Sequence, residues 1–346
     1  MKILLTSLLF APSIGGIETV SLLLAREFVA AGHSVKVATM TPGGDGVAGG
    51  TDGASDGFEV LRQPSLAQLT QAARWCDVYF QSNISLPLAA PLLIVRRPWF
   101  IVHHTWIPEP HGFSGLNRRL KLFLLRFAHS ISISRAIAAA LPVKSELIPN
   151  PYDAALFQVR DPLARSEDLV ALGRLVSDKG FDLLVEALAL LAKEGYHPKL
   201  TIIGEGPEKQ PLIQLAKDRR VADQITFLGA MTGPELAEEL NRHCIAVIPS
   251  RWKEPFGIVA LEAIACGCVA VGSQEGGLSD AIGPCGVTFP NGDIAALAQA
   301  LSRFLKTPGL LLQYRQHAEE HLRQHHPSIV ANHYLKMFES VRGSVY

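Results

Sequence analysis

The sequence predicts an α/β protein made of two doubly wound units with parallel sheets. Short apolar strands alternate with amphipathic helices in both halves of the 346-residue chain, beginning with KILLTSLL and IETVSLLLAREFVAAGH. The alternation restarts in the second half with LVALGRL, FDLLVEALALLAKEGY and KLTIIGEG. Parallel neighbours need long crossover connections, and helices of this length supply them. A chain of this length also suits two domains.

The boundary between the two units is expected at PNPYDAALFQ, residues 149–158, where prolines flank Asn150 and the periodicity stops. We therefore divide the chain into a first domain over 1–155 and a second over 156–326. A helix over about 327–346 follows the HHP break and is expected to return to the first domain. Ligands of doubly wound sheets bind beyond the carboxyl ends of the strands, so candidate residues are sought there.

Composition excludes several classes of protein. The chain is 48% hydrophobic and carries no formal net charge, which argues against disorder and against nucleic-acid binding. Five cysteines, without metal-ligand spacing, indicate small buried side chains and a reducing cytoplasm. The N-terminal apolar run is interpreted as a buried strand rather than a signal peptide, and no run is long enough to span a membrane.

Two segments after strands have the composition of phosphate-binding loops. Gly15 and Gly16 lie between the first strand and the first helix, where free N–H groups face an anion, although a plain tight turn explains them equally well. Arg174 and Lys179 follow the strand LVAL and would clamp a diphosphate. The alternative for this pair is two solvated surface charges.

Two glycine-containing turns follow the next strands of the second half. Gly204 begins GEGP after KLTII, and the loop Gly229–Gly233 contains Met231. Such turns would leave room for a flat base and surround it with backbone groups. They would serve equally as connections without a ligand.

The segment RWKEPFGIVALEAIACG places two carboxylates, Glu254 and Glu262, on either side of an apolar helix start. The N–H groups of this start are oriented toward an anion, and we place Phe256, Gly257, Ile258 and Val259 in its first turn. Glu262 would then accept hydrogen bonds from a ribose diol, and Glu254 from hydroxyls beyond the diphosphate. Helix-end charge complementarity and a buried ion pair explain each acid separately but not the pair.

Two features of the first half remain open on sequence alone. His103 and His104 end the strand FIV, where they suit either packing or chemistry. The segment 117–127, NRRLKLFLLRF, is a basic amphipathic helix that would lie on an anionic membrane surface or form the solvated face of a packed helix.

Taken together, these segments resemble the retaining glycosyltransferases of family GT4, glycosyl transferases group 1, which have the GT-B fold. That fold consists of two Rossmann-like doubly wound domains facing a central cleft. The resemblance runs over nearly the whole chain, and the E-x7-E arrangement of Glu254 and Glu262 is its most specific part. The other segments that carry it are GGIE, the histidine after a strand, IPNPYD, GRLVSDKG, GEGP, FLGAM, GGLSDAI and GVTFPNGD.

The resemblance implies a role for each matching residue. The second domain would bind the nucleotide sugar: Glu254 the sugar hydroxyls, Glu262 the ribose, and Met231 the base. Arg174 and Lys179 would neutralise the diphosphate with Gly16 and the helix start. His104 would stabilise the reacting centre, with His103 as the fallback. The first domain would bind the acceptor.

These roles imply a retaining, metal-independent hexosyltransferase in glycan, polysaccharide or glycolipid biosynthesis. The donor is expected to be a UDP- or GDP-sugar and the acceptor a sugar or a lipid-linked molecule. No metal or other cofactor is expected, since the chain has no D-x-D pair and cationic side chains would take the metal's place. The location is expected to be cytoplasmic, with peripheral membrane contact through 117–127. A non-hydrolysing sugar-nucleotide epimerase and an inactive nucleotide-binding scaffold are the alternatives.

Overall fold

The fold is described from a computed structural model over residues 1–43, 51–52, 56–107, 115–160, 165, 167–307 and 309–343. It divides into two compact units. The first comprises Met1–Pro151 with His325–Tyr346, and the second comprises Tyr152–Gln324. The sequence-based division after residue 155 assigned residues 152–155 to the first domain, whereas this division assigns them to the second unit.

The first unit contains an eight-stranded sheet. Its strands, numbered along the chain, are β1 (Lys2–Ser7), β2 (Ser34–Thr39), β3 (Thr51–Asp52), β4 (Glu59–Arg62), β5 (Val78–Ser82), β6 (Trp99–His103), β7 (His129–Ser132) and β8 (Ser145–Leu147). The spatial order is β3-β4-β2-β1-β5-β6-β7-β8. All pairs are parallel except β3 with β4. Central strands such as β5 are buried on both faces, which is why they appear in the sequence as continuous apolar runs.

Helices connect these strands. They are α1 (Gly16–Ala30), α2 (Leu66–Trp75), α3 (Leu86–Ala89), α4 (Gly115–Leu124) and α5 (Arg135–Ala140). The start of α2 shows why the chain turns helical there: Ser65 Oγ accepts the N–H of Gln68, and Gln68 Oε1 accepts the N–H of Ser65. This capping box satisfies two backbone donors that the first turn would otherwise leave exposed.

The second unit contains a six-stranded parallel sheet. Its strands are β9 (Glu167–Leu172), β10 (Leu200–Ile203), β11 (Ile225–Gly229), β12 (His243–Ile248), β13 (Val269–Ser273) and β14 (Gly286–Phe289), in the order β11-β10-β9-β12-β13-β14. Its helices are α6 (Phe181–Lys193), α7 (Lys209–Asp218), α8 (Gly233–Asn241), α9 (Ile258–Ala265), α10 (Leu278–Ile282), α11 (Ile294–Lys306), α12 (Gly309–Arg315) and α13 (Ala318–Gln324). The twin doubly wound fold predicted from the alternation of strands and helices is confirmed.

The last helix, α14 (Pro327–Gly343), belongs to the first unit although it follows the second in sequence. Tyr334 and Phe338 insert among Phe28 of α1, Phe80 of β5 and Phe100 of β6. The ring centroids of Phe100 and Phe338 are 4.6 Å apart, and those of Phe80 and Tyr334 are 5.2 Å apart. Within the described residues, none of the helices is long and apolar enough to cross a bilayer.

Replacing Phe338 with Ala should strongly destabilise the first unit. Phe338 is fully buried, so the change removes its apolar contacts and leaves a cavity, at a cost of about 3–5 kcal/mol of unfolding free energy. Phe127→Ala is the matched control, because Phe127 is 66% exposed and its truncation should cost under about 1 kcal/mol. Urea denaturation measures both variants, and equal losses would contradict the packing described here.

Candidate functional site

In the second unit, the loops that follow neighbouring strands contact one another directly through their backbone atoms. Gly204, after β10, has φ +153° and lies so close to Gly173, after β9, that a side chain would collide with the Gly173 carbonyl. The N–H of Gly204 donates to the carbonyl of Gly229 at the end of β11 (2.7 Å). Glycine is therefore required at position 204. These contacts hold the loops after β9, β10 and β11 together at one edge of the sheet.

The loop after β12 joins the same edge. The N–H groups of Arg251 and Trp252 donate to the carbonyl of Asp178 at 2.9 and 3.0 Å. Gly180 has φ +68° and packs against the carbonyl of Pro249, where a β-carbon would not fit. The residue after Lys179 is thus fixed by close backbone contact, and Lys179 is held beside the β12 loop.

Lys179, Ser250 and Glu254 form a hydrogen-bonded cluster at this edge. Lys179 Nζ lies 2.5 Å from Glu254 Oε1, and Ser250 Oγ donates to the same oxygen at 2.7 Å. The side chains of Lys179 and Glu254 are 26% and 12% exposed. Two donors on one oxygen offset the cost of partly desolvating the carboxylate, and the charged pair remains accessible to a ligand.

Glu254 is also fixed by its backbone. Its carbonyl accepts the N–H of Gly277 at 2.6 Å, and it forms a bridge with Gly276 in the loop after β13. The carboxylate is therefore held between the loops that follow β12 and β13.

Helix α9 begins at Ile258, with Gly257 as its cap and no side-chain cap. The prediction that placed Phe256 and Gly257 in the first turn is therefore wrong. Phe256 precedes the helix and is buried, with 2% of its surface exposed. Ile258 and Val259 do form the first turn and are half-buried.

Glu262 lies on the second turn of α9 and is half-buried. Burial, and to a smaller degree the negative Asp153, raises the pKa of its carboxyl to about 7. No hydrogen bond or ion pair joins this carboxylate to another of the described residues. A raised pKa in a doubly wound ligand region is typical of a functional carboxylate whose partner is a bound molecule.

Arg174 and Met231 lie on the loops that this edge brings together. Arg174 follows Gly173 directly and is exposed, whereas Met231 is half-buried in the loop between β11 and α8. The second unit therefore carries Arg174, Lys179, Gly204, Met231, Glu254 and the start of α9 on loops at the carboxyl ends of consecutive strands of one sheet.

In the first unit, the two histidines at the end of β6 differ in their surroundings. His103 is buried and its Nε2 lies 3.2 Å from Ser130 Oγ on β7. His104 is 5% exposed, and neither of its ring nitrogens has a hydrogen-bond partner among the described residues. Burial lowers the pKa of His103 to about 3 and that of His104 to about 4. Both rings are therefore neutral near pH 7.

Asn150 is the polar neighbour of His104. Its side chain lies beside the His104 ring and raises the pKa of His104, against the larger lowering by burial. The Asn150 Oδ1 atom is itself buried without a partner. Buried polar atoms are nearly always satisfied, so these groups mark a place that a ligand or water would complete.

Gly15 and Gly16 lie at the start of α1: Gly15 is the N-cap and Gly16 is the first helical residue. The carboxylate of Glu18, which is 7% exposed, lies directly against Gly15 and accepts a hydrogen bond from Ser13 Oγ at 3.2 Å. A negative group of the protein itself therefore lies at the positive end of this helix. From the sequence alone, Glu18 was given no functional role.

Ser250, Asn83 and Asn150 were likewise given no functional role from the sequence alone. Asn83 directly follows β5, has φ +58°, and its Oδ1 accepts the N–H of His104 at 2.8 Å. A polar residue just after a buried strand is the signal that would have found it. Ser250 ends CIAVIPS and could have been found in the same way. Among the described residues no cluster of His, Cys, Asp and Glu could hold a metal ion.

Comparison with known proteins gives consistent matches. The model of glycosyl transferases group 1 matches residues 157–321, and that of glycosyltransferase family 4 matches residues 14–156. Glycogen synthase of Mycobacterium tuberculosis is 37% identical over 180 residues, which cover 51% of this chain and 43% of the relative. The GDP-mannose-dependent alpha-(1-6)-phosphatidylinositol monomannoside mannosyltransferase of Mycolicibacterium smegmatis is 30% identical over 193 residues, 53% and 50% of the two chains.

The solved structure of HepE from Anabaena, in complex with UDP, superposes with a TM-score of 0.80 at 21% identity, covering 98% of this chain and 100% of HepE. The two doubly wound sheets thus define a GT-B fold. Since the two family models together extend from residue 14 to residue 321, the chain belongs to the group 1, family 4 glycosyltransferases. It spans about half the length of the curated relatives it matches.

Glu262→Gln should stabilise the second unit at neutral pH. The folded-state pKa of about 7 lies above that of an unfolded glutamate, so the wild type loses stability as pH rises between the two values. The amide escapes this loss, and its advantage over the wild type should grow by about 2–3 kcal/mol between about pH 5 and pH 8.

Urea denaturation at the two pH values measures this difference. Glu319→Gln, at an exposed position on α13, is the control and should show no such trend. A pH-independent difference between Glu262→Gln and the wild type would contradict the raised pKa.

Proposed function

We propose that this protein is a retaining, metal-independent hexosyltransferase that moves a sugar from a nucleotide-sugar donor to a hydroxyl acceptor. The observation that carries the proposal is the cluster of Lys179, Ser250 and Glu254 beside the start of α9, with Glu262 further along that helix. A UDP- or GDP-sugar is the proposed donor. The matches support both, since HepE is solved with UDP and one relative is named as GDP-mannose-dependent.

The second unit would bind the donor along the edge where its loops meet. Lys179 and Arg174 are the cations available to the diphosphate, and the uncapped start of α9 adds N–H groups. Glu262 is suited to the ribose diol, because hydroxyl donors would stabilise its ionised form and return its raised pKa toward the ordinary range. Met231 and the turn at Gly204 would border the base.

Lys179 and Glu254 have linked roles in this proposal. In the free protein the lysine is paired with Glu254, which holds its ammonium group in position. A bound donor would place its diphosphate at Lys179 and its sugar hydroxyls at Glu254, so each group would exchange part of the ion pair for a substrate contact. Because the two side chains are adjacent in the free protein, diphosphate and sugar would meet beside them.

The proposed reaction proceeds on one face of the sugar. The bond between the anomeric carbon and the diphosphate oxygen breaks, and the electron pair leaves with the nucleoside diphosphate. Arg174 and Lys179 would stabilise this charge. The acceptor oxygen forms the new bond on the same face, and its proton passes to the departing phosphate oxygen. This order of events retains the anomeric configuration and uses no covalent nucleophile of the protein.

For His104 we propose hydrogen bonding to a hydroxyl of the reacting sugar. Its buried ring is neutral near pH 7 and both ring nitrogens lack a partner among the described residues, so it can donate from one nitrogen and accept at the other. His103 is less suited, because its Nε2 already meets Ser130. Gly15 and Gly16 are proposed to approach the donor phosphates. Glu18 would have to release the helix start for this contact.

The transfer reaction should depend on Lys179. With a UDP- or GDP-sugar and no added metal, Lys179→Gln should lower kcat/KM by about 10²–10³-fold, because it removes a cation from the developing diphosphate charge. Lys306→Gln, at the end of α11, breaks the pair with Glu194 at the end of α6; it is the matched control and should stay within about twofold.

Product analysis by NMR tests the class of reaction. Retention of the donor's anomeric configuration supports the proposal, and inversion would overturn it. Conversion of the nucleotide sugar to an epimer without an acceptor would favour the epimerase alternative instead. Dependence on a chelatable metal would remove the role given to Arg174 and Lys179.

The proposal includes cytoplasmic, peripheral contact with an anionic membrane through residues 117–127. This segment forms α4 and a 3-10 turn, Leu125–Phe127, rather than one continuous helix. Leu120, Phe123 and Phe127 are 44%, 52% and 66% exposed, and they border an apolar groove of about 740 Å³. Arg96 and Arg97 line this groove. The sequence between Asp77 and Glu146 holds eight Lys and Arg against one acid, Glu109. Apolar side chains among cations are the composition of an interfacial anchor.

A double change, Phe123→Ser with Phe127→Ser, should weaken binding to vesicles of equal phosphatidylglycerol and phosphatidylcholine by about tenfold or more, because both rings lose their burial in the bilayer. Leu312→Ser, at a 67% exposed apolar position of the second unit, is the control. Co-sedimentation measures all three proteins. Equal binding of wild type and double variant, or equal binding to neutral phosphatidylcholine vesicles, would contradict the contact.

A further inference from the structure

The first unit holds a cavity of about 310 Å³ at the carboxyl ends of β1, β5 and β6. Ser7, Ser82 and Thr105, at or just beyond those strand ends, line it. Strand ends of a doubly wound sheet are where its ligands bind, so the cavity has the position of a substrate site.

The lining of the cavity combines apolar side chains with positive charges. Most of it is apolar, with Leu9, Ile17 and Trp106 among the lining residues, while Arg118 and Lys121 provide its charges. No acid lines it among the residues that the structure describes. A pocket of this kind would attract a negative group and shelter an apolar one.

The two cations are selected by the geometry of α4. Arg118 and Lys121 are three residues apart and so lie on one helix face. Leu120, Phe123 and Leu124, on the other side of the helix, line the apolar groove instead. Arg119 lines neither space, although it is adjacent in sequence. The cavity therefore takes its charge from specific positions rather than from the general basicity of the segment.

Asn83 connects this cavity to His104. The residue lines the cavity, and its Oδ1 accepts the N–H of His104 at 2.8 Å. Its φ of +58° lies in the left-handed region, which asparagine tolerates better than most residues but still at a cost. A ligand in the cavity would thus lie one residue away from the histidine proposed to meet the reacting sugar.

We propose that the acceptor carries an anionic group, a phosphate or a carboxylate, joined to an apolar segment, and that this cavity binds it with Arg118 and Lys121 on the anion. The inference rests on the proposed transferase function and deepens it by naming the class of acceptor. A neutral glucan chain would gain less than an anion from the two cations and would meet a largely apolar wall.

Isothermal titration with octyl phosphate, octyl glucoside and inorganic phosphate tests the site without knowledge of the natural acceptor. Saturating UDP or GDP, whichever the protein binds, is included so that phosphate groups cannot bind at the diphosphate position of the second unit. Octyl phosphate should bind about tenfold more tightly than octyl glucoside, because its anion meets the two cations. It should also bind more tightly than inorganic phosphate, which lacks the apolar segment.

Arg118→Gln and Lys121→Gln should each weaken octyl phosphate binding by about tenfold, while Arg119→Gln stays within about twofold. Equal binding of octyl phosphate and octyl glucoside, or an equal loss in Arg119→Gln, would overturn the proposal. So would inorganic phosphate binding as tightly as octyl phosphate. The affinity for UDP and GDP is measured in the same variants. Unchanged nucleotide binding with failed discrimination would refute the acceptor class alone, whereas a wild type that binds neither UDP nor GDP would refute the transferase function itself.

Discussion

The partly buried carboxylate of Glu254 is the interaction on which the second unit's site depends. A carboxylate at 12% exposure is stable only with donors close by, and Lys179 and Ser250 supply them to one oxygen. These donors come from different loops. The hydrogen bonds to the carboxylate therefore also fix the loops that follow β9 and β12 relative to each other. The backbone bonds to Asp178 and the bridge to Gly276 strengthen the same arrangement. A charged cluster thus acts both as a structural clamp and as the part of the edge that can exchange partners with a ligand.

The candidate residues of the two units differ in charge. In the second unit Lys179 and Glu254 form an ion pair, and Glu262 keeps a raised pKa. In the first unit the ring nitrogens of His104 and the Oδ1 atom of Asn150 are buried without a hydrogen-bond partner among the described residues. Neutral groups tolerate incomplete hydrogen bonding at lower cost than charges do. This difference would suit the proposed roles, in which the second unit binds a diphosphate and His104 a hydroxyl group.

Much of the fold was predictable because parallel strands buried on both faces leave a continuous apolar signature. Strands such as β5 and β12, and long crossover helices such as α1 and α6, have that signature, and their topology then places the following loops at one edge. Glu254, Lys179 and Arg174 became candidates for this reason, and the family resemblance gave them roles. Ser250 and Asn83 have the same position after a strand, but the sequence could not rank them above other polar residues, because their roles depend on which side chain lies opposite after folding. Phe256 was misplaced since helix starts are set by the cap, and Gly257 ends the preceding loop.

Helix α4 has two faces with different properties, which the sequence alone did not separate. One face carries Arg118 and Lys121 at a cavity, and another carries Phe123 beside an apolar groove. An acceptor with an anionic head and an apolar tail matches both faces, because its charge would contact one face of the helix and its apolar chain the other. A charged soluble acceptor would use only the first face, and a neutral lipid only the second. The same helix would therefore couple where the protein docks to which acceptor it selects, and Arg119, which lines neither space, separates the two effects experimentally.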